Sequence, residues 1–231
     1  MVELRTNAPE WPLPVFGLTG TIASGKSTLA GALENQGAAL IDADRLGHRL
    51  LWKGRSAYRR VVDLFGRSIL GPRGGIDRAK LGARVFADAR ARARLEAVLH
   101  PAILASARRR VDALARGRFR IVVLEAALLM ESGLDAVMDD TIIVLADRAA
   151  LMDRLVRLRG VDRDGALRRI RAQWTPGRKA ERARWVVENN GTPQELQAVA
   201  VRLYRELTRH PTTRMKAAAH ERSVRTRSGV E

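Results

Sequence analysis

Residues 15–28 read Val-Phe-Gly-Leu-Thr-Gly-Thr-Ile-Ala-Ser-Gly-Lys-Ser-Thr. The apolar run 15–18 predicts a strand, and residues 20–27 satisfy G-x-x-x-x-G-K-[ST], the pattern of a phosphate-binding P-loop. Residues 28–33 continue with helical character. This strand–loop–helix order is the one that phosphate binding needs, because successive backbone N–H groups and the helix N-terminus supply partial positive charge. The alternative, a Gly-rich turn that opens an ordinary helix, is disfavoured by both flanking elements.

The loop offers specific groups to a nucleotide. Lys26 can reach the β- and γ-phosphates, and the Ser27 hydroxyl can ligate Mg²⁺. Only five of the 42 basic residues are lysine, so a lysine inside this pattern is less expected by chance. The predicted nucleotide-binding residues of the loop are Gly20, Ala23, Ser24, Gly25, Lys26, Ser27 and Thr28, with Ser27 as the metal ligand.

Composition limits the class of protein. A chain of 231 residues with 46% hydrophobic and 29% charged residues is typical of one globular α/β domain with a smaller insertion. It lacks an apolar run of about 18 residues, and its polar N-terminus has no apolar signal core, so we expect no membrane association. The absence of cysteine excludes disulfides and thiolate metal sites and fits a cytoplasmic protein.

The net charge of +17 suits polyanionic ligands such as nucleotides or nucleic acid. An arginine-biased genome is the alternative explanation for most of this excess. Four Trp, four Phe and two Tyr are too few and too scattered for a platform on which bases stack. We therefore expect no specific nucleic-acid partner, while the oligomeric state stays open.

Hydrophobic patterning predicts a parallel sheet with helices around it. Continuous apolar runs are typical of strands that are buried on both faces. The predicted strands are 15–18, 38–41, 120–124, 141–145 and 185–187. The first predicted helix follows the loop and ends at about residue 36. The other predicted helices span 46–51, 57–65, 78–86, 88–99, 101–116, 151–158, 164–173 and 193–207. His100-Pro101 marks the predicted break between the helices 88–99 and 101–116.

This order predicts how the chain is organised. Residues 1–14 form a leader, 15–208 form the domain, and 209–231 form a basic, disordered tail. Within the domain we expect a core of 15–45, 118–150 and 176–208, a helical insertion at 46–117, and a small helical lid at 151–175.

Carboxylates at strand ends are candidates for the chemistry of transfer. Asp44 lies just past the second strand, where it can accept a proton from an acceptor hydroxyl or hold Mg²⁺ through water. Its alternative role is to cap the helix predicted at 46–51, and Asp42 is the more structural of the two. Glu125 and Glu131 bracket an apolar stretch after the third strand, where a carboxylate could hold Mg²⁺ or line an acceptor pocket.

Two basic elements have structural alternatives as well. Arg154, Arg157 and Arg159 have the composition of a closing lid that neutralises developing charge and excludes water. The alternative is a solvated basic helix face. His100 could simply cap a helix end at the predicted break before Pro101.

Taken in order, these motifs resemble the dephospho-CoA kinase family over about residues 15–207. No later motif is specific by itself, but the ordered set at these spacings is. The motifs are Gly17–Gly20 leading into the loop, Ile41–Asp44, His100–Ile103, Leu128–Glu131, Arg169-Ile170-x-x-Gln173 and Asn189-x-Gly191.

The resemblance implies an enzyme that uses ATP to phosphorylate the ribose 3′-hydroxyl of dephospho-CoA, the last step of coenzyme A synthesis. It implies a nucleotide-binding core of the P-loop NTPase type, an acceptor-binding insertion and a lid. By position, Lys26 and Arg154 act in transfer with Asp44 as the base. The resemblance further places Arg78 and His100 on the acceptor side and Asn189 and Gly191 at the adenine end of ATP. Asp44, as the base, and Glu125, by its position after the third strand, are the other candidate acceptor-binding residues.

The chain departs from the family pattern at several positions. Thr21 and Ala23 replace two glycines of the usual loop, and Ala23 narrows the allowed backbone geometry. Glu125 stands where an aspartate is usual. Two alternatives remain open: another small-molecule or nucleotide kinase of the same fold, and a P-loop protein that binds nucleic acid.

Overall fold

The computed structural model describes residues 10–158, 160–171 and 173–209. A parallel five-stranded sheet lies at its centre, in the order β2-β3-β1-β4-β5. The strands are β1 (Val15–Gly20), β2 (Ala39–Asp42), β3 (Val122–Glu125), β4 (Asp140–Leu145) and β5 (Trp185–Glu188). Central β1 is buried at every residue, and its Gly17 pairs with Leu124 on one side and Thr141 on the other. The predicted α/β fold with a parallel sheet is confirmed.

Helices connect these strands. They are α1 (Lys26–Asn35), α2 (Ala43–Leu50), α3 (Ser56–Phe65), α4 (Arg78–Ala87), α5 (Ala89–Leu114), α6 (Arg148–Asp153), α7 (Arg163–Arg171), α8 (Pro176–Ala180) and α9 (Pro193–Arg209). Short 3₁₀ turns span Arg67–Ile69 and Leu134–Val137. No helix in the described ranges has the length and apolarity needed to cross a membrane. Predictions for residues 1–9, Arg159 and residues 210–231 lie outside the described part of the chain.

Alternate residues of the strands face the two sides of the sheet, as the period of two requires. On one side, Phe16 and Leu18 of β1 pack with buried residues of α1 and α9. On the other side Gly17 lies against the side chains of Leu129 and Met138, and a Cβ at this position would collide with both. Each fully buried Leu or Phe contributes about 1.5–3 kcal/mol relative to an exposed side chain, so this packing holds β1 and the loop after it.

Residues Asp42–Ala113 form one compact unit, and the described residues before and after them form the other. The first unit has its own apolar core, built from α3, α4, α5 and the 3₁₀ turn between α3 and α4. Its buried residues are Ala57, Val61, Phe65, Ile69, Leu81, Ala91 and Val98. The sheet, α1 and α6–α9 belong to the second unit.

The predicted helix break at His100-Pro101 is wrong, because α5 continues through both residues from Ala89 to Leu114. Pro101 has no N–H to donate to the preceding turn, which costs about 3 kcal/mol or more in a helix interior. Val98 and Ile103 are buried on either side of the proline, and such burial is worth about 1.5–3 kcal/mol for each side chain. Packing of the two halves therefore offsets the local cost.

The helix predicted at 151–158 also differs from the structure. The α-helical turns end at Asp153, and Arg154–Leu158 continues as a π-helical segment. Leu155 within this segment is fully buried. Apolar spacing did not reveal the change, because a single wide turn leaves the buried positions of a short segment almost unaltered. Such π turns occur frequently at functional sites.

Candidate active site

The phosphate loop joins β1 to α1 with two residues in the left-handed backbone region. Gly25 has φ +96° and Ala23 has φ +62°. A Cβ on Gly25 would also collide with the side-chain amide of Asn189. The loop pattern therefore requires glycine at position 25 for two separate reasons, since both the backbone angle and the close approach exclude a side chain.

Ala23 is the one non-glycine residue with positive φ among the described residues. Left-handed backbone costs an L-residue about 1–2 kcal/mol. The alanine that stands here in place of the usual glycine therefore lies at a position where glycine would be unstrained. Ser24 N–H closes the turn by donating to the Thr21 carbonyl at 3.1 Å.

The start of α1 suits an anion. In the described chain, its first turn holds no acidic residue, and Gly25 at the N-cap has no side chain to satisfy the helix N–H groups. These N–H groups carry the positive end of the helix dipole. The loop and helix together therefore form a site for phosphate.

Glu125 at the end of β3 meets the two functional side chains of the loop. Its Oε1 accepts from Lys26 Nζ and, at 2.7 Å, from Ser27 Oγ. The residue is only 9% exposed. Because β3 neighbours β1 in the sheet, both strands deliver their carboxyl ends to the same edge. Both roles that the sequence left open for Glu125, holding Mg²⁺ and lining the acceptor pocket, stay predictions.

Arg154 and Asn189 contact backbone carbonyl groups of the phosphate loop. Arg154 Nη1 lies 3.4 Å from the carbonyl oxygens of Ala23 and Ser24, and its Nη2 donates to the Asn189 carbonyl at 2.9 Å. The buried Asn189 side chain donates to the Ser24 carbonyl at 2.7 Å. The structure thus brings Arg154 and Asn189, both predicted site residues, against Ala23 and Ser24 of the loop.

Gly191 lies two residues before α9, where close packing leaves no room for a side chain. A Cβ on Gly191 would collide with the Glu195 carboxylate. That carboxylate accepts from Thr192 N–H at 2.7 Å and Thr192 Oγ1 at 3.1 Å, as in a capping box. A contact between Gly191 and adenine stays a prediction.

Arg157 supports the alternative reading of the basic lid residues. It is exposed and forms an ion pair with Asp153, four residues earlier, at 2.8 Å. Exposed pairs of this kind contribute only about 0.3–0.5 kcal/mol. Arg157 therefore lies on a solvated face, in contrast to Arg154.

The remaining predicted residues lie in the compact unit 42–113. Asp42, not Asp44, caps α2, because its side chain accepts from Arg45 N–H at 2.7 Å. The alternative of Asp44 as the helix cap is therefore wrong, and Asp44 is exposed in the first turn of α2. Arg78 is exposed at the start of α4.

His100 lies in the interior of α5, so its predicted alternative as a cap is also wrong. Burial lowers the pKa of its imidazole below the ordinary value. A neutral imidazole offers one donor and one acceptor. The binding roles of Asp44, Arg78 and His100 stay predictions.

The sequence reasoning gave no role to Gln173, which contacts the loop. Its side chain accepts from Ile22 N–H at 2.7 Å. The only signal was its place at the end of the Arg169-Ile170-x-x-Gln173 motif. The ion pair between partly buried Glu131 and fully buried Lys179, 2.8 Å apart, had no signal from spacing, since the two lie 48 positions apart in the sequence.

Comparison with known proteins identifies the relatives of this chain. The family model for dephospho-CoA kinase matches residues 14–195. Dephospho-CoA kinase of Geobacter sulfurreducens is 45% identical over 183 residues, which are 79% of this chain and 93% of the relative, and that of Anaeromyxobacter dehalogenans is 42% identical over 84% and 92%. A crystal structure from Thermus thermophilus matches with TM-score 0.72 and 33% identity over 85% of this chain and 98% of that one. The chain belongs to the dephospho-CoA kinase family.

Proposed function

We propose that this protein transfers the γ-phosphate of ATP to the ribose 3′-hydroxyl of dephospho-CoA, giving coenzyme A and ADP. The observation that carries the proposal is the meeting of Lys26 and Ser27 with Glu125 at the carboxyl ends of two neighbouring strands. In the transfer, the acceptor oxygen forms a bond to the γ-phosphorus while the bond to the β,γ-bridging oxygen breaks. The hydroxyl proton goes to a base, for which Asp44 is our candidate.

The donor site acts through charges that are in place before the reaction. Loop N–H groups and the α1 N-terminus face the phosphates, and Lys26 exchanges its bond with Glu125 for one with a phosphate oxygen. Arg154 lies beside the loop, where its guanidinium stabilises charge that develops during transfer. Asn189 and Gly191 are proposed to face the adenine end.

Ser27 and Glu125 would hold Mg²⁺. Their side-chain oxygens lie 2.7 Å apart, and oxygen ligands of this kind, completed by water and substrate phosphates, are what Mg²⁺ prefers. The donor set therefore fits the ion. Bound there, Mg²⁺ would neutralise charge on the β- and γ-phosphates.

The acceptor side is assigned to the compact unit 42–113. Arg78 can pair with an acceptor phosphate, and neutral His100 can exchange hydrogen bonds with the acceptor. We further propose that residues 151–175 act as the lid. The cytoplasmic location stays a prediction from the cysteine-free sequence.

An acceptor panel tests the proposal. Purified protein with ATP and Mg²⁺ is offered dephospho-CoA, nucleoside monophosphates or shikimate, and ADP release is measured. We expect turnover of dephospho-CoA alone, abolished in Lys26→Ala and kept in Arg202→Ala, which removes an exposed charge on α9. Turnover of another acceptor without dephospho-CoA turnover would show a different kinase of this fold.

A further inference from the structure

Gln173 bridges two segments that meet at the phosphate loop. It lies two residues beyond the last residue of α7, Arg171, and 151 residues from Ile22, whose N–H donates to Gln173 Oε1 at 2.7 Å. Gln173 Nε2 lies 3.5 Å from the carbonyl oxygen of Ala127, which also accepts from Thr19 Oγ1 at 3.4 Å. The amide therefore lies between the loop and the segment after β3.

The chemistry of the two partners explains why an amide is present. The Ile22 N–H can only donate and the Ala127 carbonyl can only accept, so the group between them must do both. A carboxylate would satisfy Ile22 alone, and an apolar side chain would satisfy neither. Because Ile22 donates to Gln173, the orientation of the Gln173 amide follows from its partner.

The residue that Gln173 holds adjoins the strained position of the loop. Ile22 precedes Ala23, whose φ is +62°. Strained backbone persists only where its surroundings constrain it from several sides. Gln173 holds the Thr21–Ile22 peptide, one residue before Ala23, and Arg154 lies 3.4 Å from the Ala23 carbonyl that follows. Gln173 and Arg154 thus contact the loop before and after its strained residue.

Gln173 is itself held in place. The next residue, Trp174, donates its N–H to Glu131 Oε1 at 3.1 Å. Glu131 forms an ion pair at 2.8 Å with Lys179, which is fully buried. The Arg178 guanidinium lies 3.6 Å from the centre of the Trp174 ring. The chain that carries Gln173 is therefore anchored to the segment after β3.

We propose that Gln173 is a positioning residue for phosphate transfer: by holding Ile22 N–H, it presets the Thr21–Ser24 turn so that the neighbouring loop N–H groups face the phosphates. The expected effect on kcat rests on the proposed function. Gln173 does not touch the reacting atoms but acts through the loop. Gln173 contacts the loop from near the C-terminal end of the segment 151–175, as Arg154 does from near its N-terminal end.

The test compares Gln173→Met, which keeps length but removes both hydrogen bonds, with Gln197→Met on the exposed face of α9. Amide hydrogen exchange reports on Ile22, and calorimetry reports on ATP binding without the acceptor. We expect faster exchange at Ile22 in Gln173→Met. We also expect kcat to fall about tenfold to a hundredfold, as for a small misplacement of reacting groups, with KM for dephospho-CoA within about twofold of wild type. The control Gln197→Met should change neither the exchange at Ile22 nor the kinetic constants.

Two results would overturn the proposal: unchanged exchange at Ile22, or faster exchange with ATP affinity and kcat both unchanged. If Gln173→Met does not fold, Gln173→Asn replaces it, because an amide about 1.5 Å shorter cannot reach Ile22 and the same losses are expected. If wild-type protein does not phosphorylate dephospho-CoA, the proposed function fails by itself. Exchange at Ile22 and ATP affinity then still decide the role of Gln173.

Discussion

Ala23 concentrates the backbone strain of the phosphate loop in one residue. Its φ of +62° is a conformation that glycine adopts freely and alanine does not. Hydrogen bonds one peptide group further along on each side restrain the loop: Ile22 N–H donates to the Gln173 side chain, and the Asn189 side chain donates to the Ser24 carbonyl. The loop therefore depends on other elements for its shape more than one with glycine at this position would.

Ala23→Gly should leave the free energy of unfolding unchanged or raise it by up to about 1.5 kcal/mol. Relief of about 1–2 kcal/mol of strain is partly offset by about 0.5–1 kcal/mol from the greater freedom of glycine in the unfolded chain. Thermal unfolding measures the change. Ala198→Gly, on the exposed face of α9, is the control and should lose about 1 kcal/mol of stability. An equal loss at both positions would show that Ala23 is unstrained.

Glu125→Gln should weaken ATP binding with Mg²⁺ but strengthen it in EDTA. Glutamine keeps an oxygen for Lys26 but no negative charge, so it holds Lys26 less strongly and the phosphates meet one less negative charge. With Mg²⁺, the loss of an anionic oxygen ligand outweighs that gain. Calorimetric titration under the two conditions gives the comparison, and Glu181→Gln, an exposed site in the same unit, should behave as wild type. Weaker binding in both conditions would contradict the competition.

At the scale of elements, patterns of consecutive residues were predictable, but contacts between residues far apart in the sequence were not. The strand, loop and helix of residues 15–35 form one local motif with glycine at its required positions. Glu125 reaches Ser27 only because β3 lies beside β1, and the local sequence does not predict this strand order for two residues 98 positions apart. Packing likewise overrode the local signal at Pro101, where α5 continues without interruption.

His100 in α5 should make the protein less stable in mild acid. Burial lowers its pKa in the folded state, so as pH falls through the ordinary value of about 6.5 the unfolded chain binds the proton first. Stability is then lost progressively until the pH reaches the folded-state pKa. His100→Gln should lose less stability between pH 7.5 and 5.5 by urea unfolding, with His48→Gln in α2 as the control. An unchanged slope in His100→Gln would exclude His100 as the cause.

At the scale of the whole molecule, the positive charge is unevenly distributed. Residues 42–113 contain 17 basic and 7 acidic residues, a net charge of +10 out of the +17 of the chain. Residues 210–231 contain 5 basic and 2 acidic residues, a net charge of only +3. A genome-wide preference for arginine does not explain such a bias toward one unit. The proposed acceptor, with its diphosphate, provides a ligand of opposite charge for it.

Salt should therefore weaken the acceptor more than ATP. Raising NaCl from about 50 to 300 mM shortens the screening length to below about 8 Å, so KM for dephospho-CoA should rise several-fold. KM for ATP should change less, because backbone N–H groups and Lys26 bind its phosphates at contact distance. Steady-state kinetics in both substrates measure the two slopes. Deletion of 210–231 should leave both unchanged, since net charge falls only from +17 to +14. If the deletion instead abolishes the acceptor's salt dependence, the tail rather than the unit 42–113 supplies the attraction.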